Sequence, residues 1–262
     1  MEFTAGFGCV EGVRGDIDIN KSQTMREHFV LKETSAWITA DERKYIEIAK
    51  HQLREHRKEL ERFIRGHPFF LVTLEPYHYH IEEAGEGEKI PEVVQRMINA
   101  SSMFGIGPMS AVAGTLAELA VEAMHDAGAT HAIVDNGGDV ALINDREVLV
   151  GIYAGNSPFS NRIALRIKPS SSLIGICTSS GTVGHSISFG YADAATVLSD
   201  SAALSDAAAT ALSNSVKKDS DTPHALHGCF RSIAHVPRIK GALVIYRDVL
   251  AKWGEIPQLV RV

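Results

Sequence analysis

The sequence predicts an α+β fold of mixed, largely antiparallel sheets with packed helices. Three observations predict it: a long helix-periodic stretch after Thr39, a strand-rich run from Thr130 to Cys177, and no regular alternation of strand and helix blocks. A chain of 262 residues with 45% hydrophobic composition also carries enough apolar side chain for a sizeable core.

Residues 1–24 are rich in Gly and polar residues without an apolar period, so they read as a tail or lead-in, with 25–262 as the folded domain. His28 to Ile38 alternates as a strand or hairpin. Thr39-Ala-Asp-Glu42 then reads as a capping box. Ile46, Ala49, Leu53, Leu60, Phe63 and Ile64 recur at helical spacing until Gly66-His67-Pro68 stops the helix. Lys and Arg alternate with Glu on its other face, which suits weak surface pairs rather than a phosphate-binding patch.

Phe69 to Leu74 reads as a buried strand, and Pro91 opens a short helix through Ile98. Gly105-Ile-Gly107-Pro108 leads into a helix ending near Gly128, whose Ala111, Ala113, Gly114, Ala117 and Ala120 suit close packing. Strands are expected at His131–Asp135, Val140–Ile143, Val148–Tyr153, Ile163–Ile167 and Leu173–Cys177. An Ala-rich helix from about Asp200 to Ser215 follows, then closing strands at Gly241–Tyr246, Val249–Trp253 and Gln258–Val262.

Acidic residues exceed basic ones, 32 against 26, and the formal charge of -6 gives no reason to expect nucleic acid or an anionic membrane as partner. Met1 to Asp16 lacks an export signal, and Met109 to Met124, broken by Glu118 and Glu122, is too short to span a bilayer. A cytoplasmic location is the expectation. Cys9, Cys177 and Cys229 fit reduced thiols better than a disulfide framework.

Three local motifs bear on chemistry. Val134-Asp-Asn-Gly-Gly-Asp139 places two glycines and two carboxylates at the end of an apolar strand, where backbone amides could approach a ligand; the local pattern alone favours a tight hairpin turn. Cys177-Thr-Ser-Ser-Gly181 is a hydroxyl-rich turn after a strand. Ser205-Asp-Ala-Ala-Ala-Thr210 sets the Asp206 carboxylate and the Thr210 hydroxyl four residues apart on one helical face, a geometry for two hard oxygen ligands to a cation; an Asp near a helix start is the plainer account.

The order of these motifs after a small-residue helix, from about Gly105 to Asn214, resembles the ApbE family of flavin transferases, which use FAD and magnesium to attach FMN to a protein threonine. The resemblance implies an ApbE-like, T-fold-like domain. It also implies cofactor contacts at Asn136, Gly137, Gly138 and Asp139 and in the Thr178, Ser179, Ser180 and Gly181 loop, with Asp206 and Thr210 as magnesium ligands. The chain departs from the family's pattern at Pro108-Met109, where a Lys-Gly pair is usual, and at His185-Ser-Ile-Ser-Phe-Gly190, which replaces a segment ending Asp-Pro-x-Thr-Gly. The expectation is therefore a protein binding FAD or another nucleotide with magnesium, without FMN transfer carried over.

Phe189-Gly-Tyr-Ala-Asp-Ala194 resembles a separate archaeal and anaerobic-bacterial branch linked to sulfur assimilation and homocysteine formation in methanogens. That likeness gives a second reading: sulfur chemistry through Cys177 or Cys229, with a sulfur-metabolism protein as partner. A non-catalytic assembly factor is the third, and a homo-oligomer is compatible with each. His185 is the candidate general acid or base, although a lone histidine on a polar loop is usually neither. His78-Tyr79-His80 with Glu75, and His224-Ala-Leu-His227-Gly-Cys229, are short of a metal signature; a half-exposed strand end and a loop with a buried Cys are the plainer readings.

Overall fold

The strands at Ala132–Asn136 and Asp139–Asn144 are buried on both faces, so the sheet they belong to needs a cover on each side. The computed structural model describes residues 9–10, 24–79, 89–181 and 190–262 and supplies both covers. Twelve strands form two sheets among the described residues: β1 (Cys9–Val10), β2 (Met25–Leu31), β3 (Thr34–Ala40), β4 (Ala132–Asn136), β5 (Asp139–Asn144), β6 (Val148–Gly151), β7 (Ile163–Ile167), β8 (Ser170–Ser179), β9 (Ala194–Ser199), β10 (Ile239–Tyr246), β11 (Val249–Gly254) and β12 (Gln258–Arg261). The eight-stranded sheet runs β11-β10-β9-β8-β5-β4-β3-β2 and the four-stranded one β1-β6-β7-β12. Every paired neighbour is antiparallel. The fold is α+β.

The helices are α1 (Arg43–Gly66), α2 (Pro68–Val72), α3 (Glu92–Ser102), α4 (Val112–Asp126), α5 (Ala202–Ser215) and α6 (Pro223–Cys229). Ile38, Val134, Ala141, Cys177, Val197 and Val244 point from the large sheet into the helical layer. Their neighbours Ile133, Val140, Leu142, Ile176, Leu198 and Leu243 point the other way, onto Val148, Val150, Leu165 and Ile167 of the small sheet. One strand repeat thus feeds two cores. Among the described residues no helix is long and apolar enough to cross a membrane.

The β2–β3 hairpin and the long α1 form as their periods predict, with Tyr45, Ile46, Ala49, Leu53, Leu60 and Phe63 buried along one stripe of α1. The capping box does not form. Thr39 stays in β3, Glu42 occupies the N-cap without a side-chain hydrogen bond, and Asp41 is engaged by Arg146 instead. Phe69 to Leu74 is not a buried strand: Pro68 starts the five-residue α2, which buries Phe70 and leaves Phe69, Leu71 and Val72 exposed. β9 is a strand that composition concealed, because Ala194-Ala-Thr196 carries little of the bulk that usually marks one. The segment holding His224, His227 and Cys229 is the short helix α6 rather than a loop. Cys9 and Val10 pair with Val150 and Leu149; the other residues before Thr24 lie outside the described part.

α4 and α5 cross closely because glycine removes side-chain bulk. A Cβ on Gly114 would come within 2.3 Å of the Ala202 carbonyl, and one on Gly175 within 2.5 Å of Ala202 Cα. Each helix also caps the other. The Gly114 amide in the first turn of α4 donates to Asp206 Oδ2 at 2.8 Å, while Ser201 Oγ and the Ala203 amide at the start of α5 donate to Glu118 Oε2 at 2.7 and 3.0 Å.

Candidate functional site

Asn136 and Asp139 face each other across β4 and β5, so Gly137-Gly138 form a two-residue hairpin turn. Their φ angles of 73° and 103° are open to glycine and strained for other residues. The turn stands at the edge of a cavity of 1110 Å³. Leu60, Ile64, Leu71, Met109, Val112 and Leu116 make an apolar half between α1, α2 and the start of α4. Strand ends supply the polar half: Thr34, Ser35, Asp135, Asn136, Asp139, Thr178 and Ser180.

The polar half is held by short bonds. Asn136 Nδ2 donates to the Ala113 carbonyl at 3.2 Å, Thr178 Oγ1 shares a 2.9 Å bond with Thr196 Oγ1, and Ser180 Oγ donates to the Ala192 carbonyl at 3.2 Å. The Gly138 amide donates to Asp135 Oδ1 at 2.9 Å. That amide is therefore committed inside the turn rather than offered to a ligand phosphate.

Three buried or half-buried carboxyl groups gather beneath the turn. Burial lifts the Asp135 carboxyl to about 6, against the opposing bond from Gly138 and the charge of Arg26. Asp139, half-buried on the cavity wall, is pushed well above the usual carboxylate range, first by desolvation and then by the charges of Asp206 and Asp135. Asp206 is also raised, chiefly by burial, with the Gly114 and Ala113 amides pulling the other way. Thr210 lies one turn further along α5 and is half-buried.

The structure brings Asn136, Gly137, Asp139, Thr178 and Ser180 together on the cavity wall. Gly138, Ser179 and Gly181 do not line it: Ser179 is buried in β8, and Gly181 packs so tightly that a Cβ would meet the Gly190 carbonyl at 1.9 Å. Asp206 and Thr210 sit on α5 behind the wall, with Asp206 electrostatically tied to Asp139. His185 and His80 lie outside the described residues, and His78 is exposed. His224 and His227 are exposed on α6. Among the described residues no group of three His, Cys, Asp or Glu is arranged to hold a metal ion.

Both described cysteines that were candidates for chemistry are buried. Cys177 Sγ donates to the Ala202 carbonyl at 3.3 Å, and burial together with the nearby Asp139 and Asp206 charges pushes its thiol well up. A nucleophilic thiolate requires the opposite environment. Cys229 Sγ donates to the Ser215 and Ala225 carbonyls at 3.5 and 3.6 Å.

Sequence reasoning missed Trp37, Tyr153, Met109, Arg57 and Arg65 as cavity residues. The α1 pair carried a readable signal, since Arg57, Leu60, Glu61, Ile64 and Arg65 share one helical face, but only the fold shows that this face looks onto the glycine turn.

Residues 18–226 match the family model described as AbpE bacteria. The UPF0280 protein of Methanosarcina barkeri is 52% identical over 237 residues, covering 90% of this chain and 89% of that protein. The UPF0280 protein of Methanococcoides burtonii is 51% identical, covering 90% of this chain and 95% of its own. Among solved structures, the apo form of Pseudomonas stutzeri flavinyl transferase ApbE superposes with a TM-score of 0.55 at 11% identity, covering 92% of this chain and 97% of that one. The Flavin Transferase ApbE from Vibrio cholerae gives 0.50 at 12% identity, covering 89% and 97%. At such identities the likeness is one of fold.

Proposed function

The chain belongs to the AbpE bacteria family, and from that membership we propose that it binds a flavin or another nucleotide in the cavity beside Gly137. The observation that carries this reading is the cavity's division. Its volume of 1110 Å³ is ample for a dinucleotide, its α1–α4 half is apolar enough for a planar ring, and its strand-end half offers hydroxyls and carboxylates for ring edges and sugar oxygens. Fold neighbours that are named flavin transferases support it.

Magnesium fits the donor chemistry on α5. Asp206 and Thr210 would supply hard oxygens, and Mg²⁺ needs few protein ligands because it keeps several waters. Burial of the Asp139 and Asp206 carboxyls disfavours their ionised forms, a cost that a bound cation would offset. When bound, the ion would polarise a ligand oxygen brought to the floor of the cavity. The protein's own residues do the rest: Leu60, Ile64, Met109 and Leu116 exclude water from a ring, and Thr178 and Ser180 orient polar edges.

Calorimetric titration with FAD, with and without magnesium, tests this reading. Binding should require magnesium and weaken in Thr210→Val, a variant that leaves the Asp206 cap on α4 intact. Failure of FAD, FMN and AMP alike to bind would overturn the proposal.

A further inference from the structure

Four of the eight exposed large hydrophobic side chains among the described residues fall in one short run: Phe69, Leu71 and Val72 on α2 and Leu74 just beyond it, 49% to 66% exposed. A chain that works alone seldom leaves such a run in water. The run is firmly held. Phe70, on the inward side of α2, meets Phe63 of α1 edge to face with ring centres 5.2 Å apart, and Tyr77 with centres 5.1 Å apart. Thr73 closes against the lead into α4, where a Cβ on Gly107 would come within 2.0 Å of the Thr73 carbonyl oxygen. α2 is therefore a fixed platform with its apolar side outward.

Charges of both signs flank the platform. Arg65, in the last turn of α1, precedes α2, and Glu75 follows it, at equal separations in the chain from the buried Phe70. Both are exposed, and neither makes an ion pair among the described residues. A partner surface of a single sign would meet a like charge at one end. A second copy would not: about a twofold axis through α2 the apolar side meets itself, and Arg65 of each copy faces Glu75 of the other. An anionic bilayer fits less well, because Glu75 and the formal charge of -6 both oppose it.

We infer that two copies of this chain pair through α2, with Phe69, Leu71, Val72 and Leu74 as the apolar centre and Arg65 and Glu75 of opposite copies as crossed ion pairs. Leu71 and Arg65 also line the cavity, so the second copy borders the cavity mouth and shields its α2 side from water. The pairing stands independently of what the cavity binds.

Sedimentation equilibrium of the full chain across a dilution series should give twice the chain mass at the concentrated end. Val72→Glu sets a charge in the apolar centre and should leave a monomer throughout. Arg65→Glu and Glu75→Arg each oppose like charges across the axis and should weaken association about tenfold or more, whereas the two combined should restore it. Raised salt should narrow that difference. A chain that stays monomeric when concentrated, or a dimer indifferent to Val72→Glu and to both charge reversals, would overturn the inference. Monomers that float with phosphatidylglycerol vesicles would overturn it too and assign the patch to a membrane surface. The altered side chains are all exposed, so circular dichroism matching the unaltered chain should show that lost association is not lost fold.

Discussion

Asp206 on α5 accepts the Gly114 amide of α4 at 2.8 Å, so the residue with the best claim to a metal also caps a helix. The two roles separate by substitution. Asp206→Asn keeps an acceptor for the amide and removes a charge that Asp139 opposes, so stability at pH 7 should hold or rise. Asp206→Ala removes the acceptor and should cost about 1–2 kcal/mol, the usual worth of an N-cap. Urea unfolding of both variants at pH 7 checks this; equal losses would mean that the hydrogen bond is not what Asp206 contributes.

Gly114→Ala tests the crossing of α4 and α5. The new Cβ would lie 2.3 Å from the Ala202 carbonyl and 2.7 Å from Asp206 Cβ, both parts of a packed helix that cannot move cheaply. Overpacking of this kind should cost about 1–3 kcal/mol, although alanine favours the helix itself. Ala202 is also wedged against Gly175, so the strain should spread to β8. An unchanged urea midpoint would show that the crossing is looser than its geometry.

What could be read from the sequence follows from how local each cause is. α1, the β2–β3 hairpin and the Gly137-Gly138 turn rest on periodicity or on backbone freedom, and both leave marks within a few residues. Phe69 to Leu74 misled because apolar content marks burial only when a neighbour covers it, and Pro68 sets a helix that leaves most of it exposed. β9 hid for the opposite reason, being built from small residues. The site motifs were legible as a set, but the commitment of Gly138 to Asp135 and of Asp206 to Gly114 depends on contacts three and 92 positions apart, and only the second needs the whole fold.

The buried thiols make a further prediction. In a Cys9→Ser background, Cys177 and Cys229 should react with a thiol reagent only as fast as the protein opens, and fully after denaturation. Cys177 should be the slower, because its thiol is held neutral by burial and by the carboxylates beside it. Rapid native labelling of Cys177 would restore weight to sulfur chemistry at that position.

Asp135 should make stability fall as pH rises. Its carboxyl sits at about 6 in the folded chain against 3.8 as the ordinary value, so between those pH values the folded state holds more protons than the unfolded one. Stability is then highest below the lower value, declines through the window, and levels off above pH 6. Exposed carboxylates with lowered values, such as Glu47 and Glu55, slope the other way, so the whole protein's profile does not isolate Asp135. The difference between Asp135→Asn and the unaltered chain does. Asparagine still accepts the Gly138 amide and carries no charge to desolvate, so the variant should gain relative stability from pH 4 to pH 7. Urea midpoints at the two pH values measure the gain, and parallel profiles would mean that Asp135 finds a compensating partner when ionised.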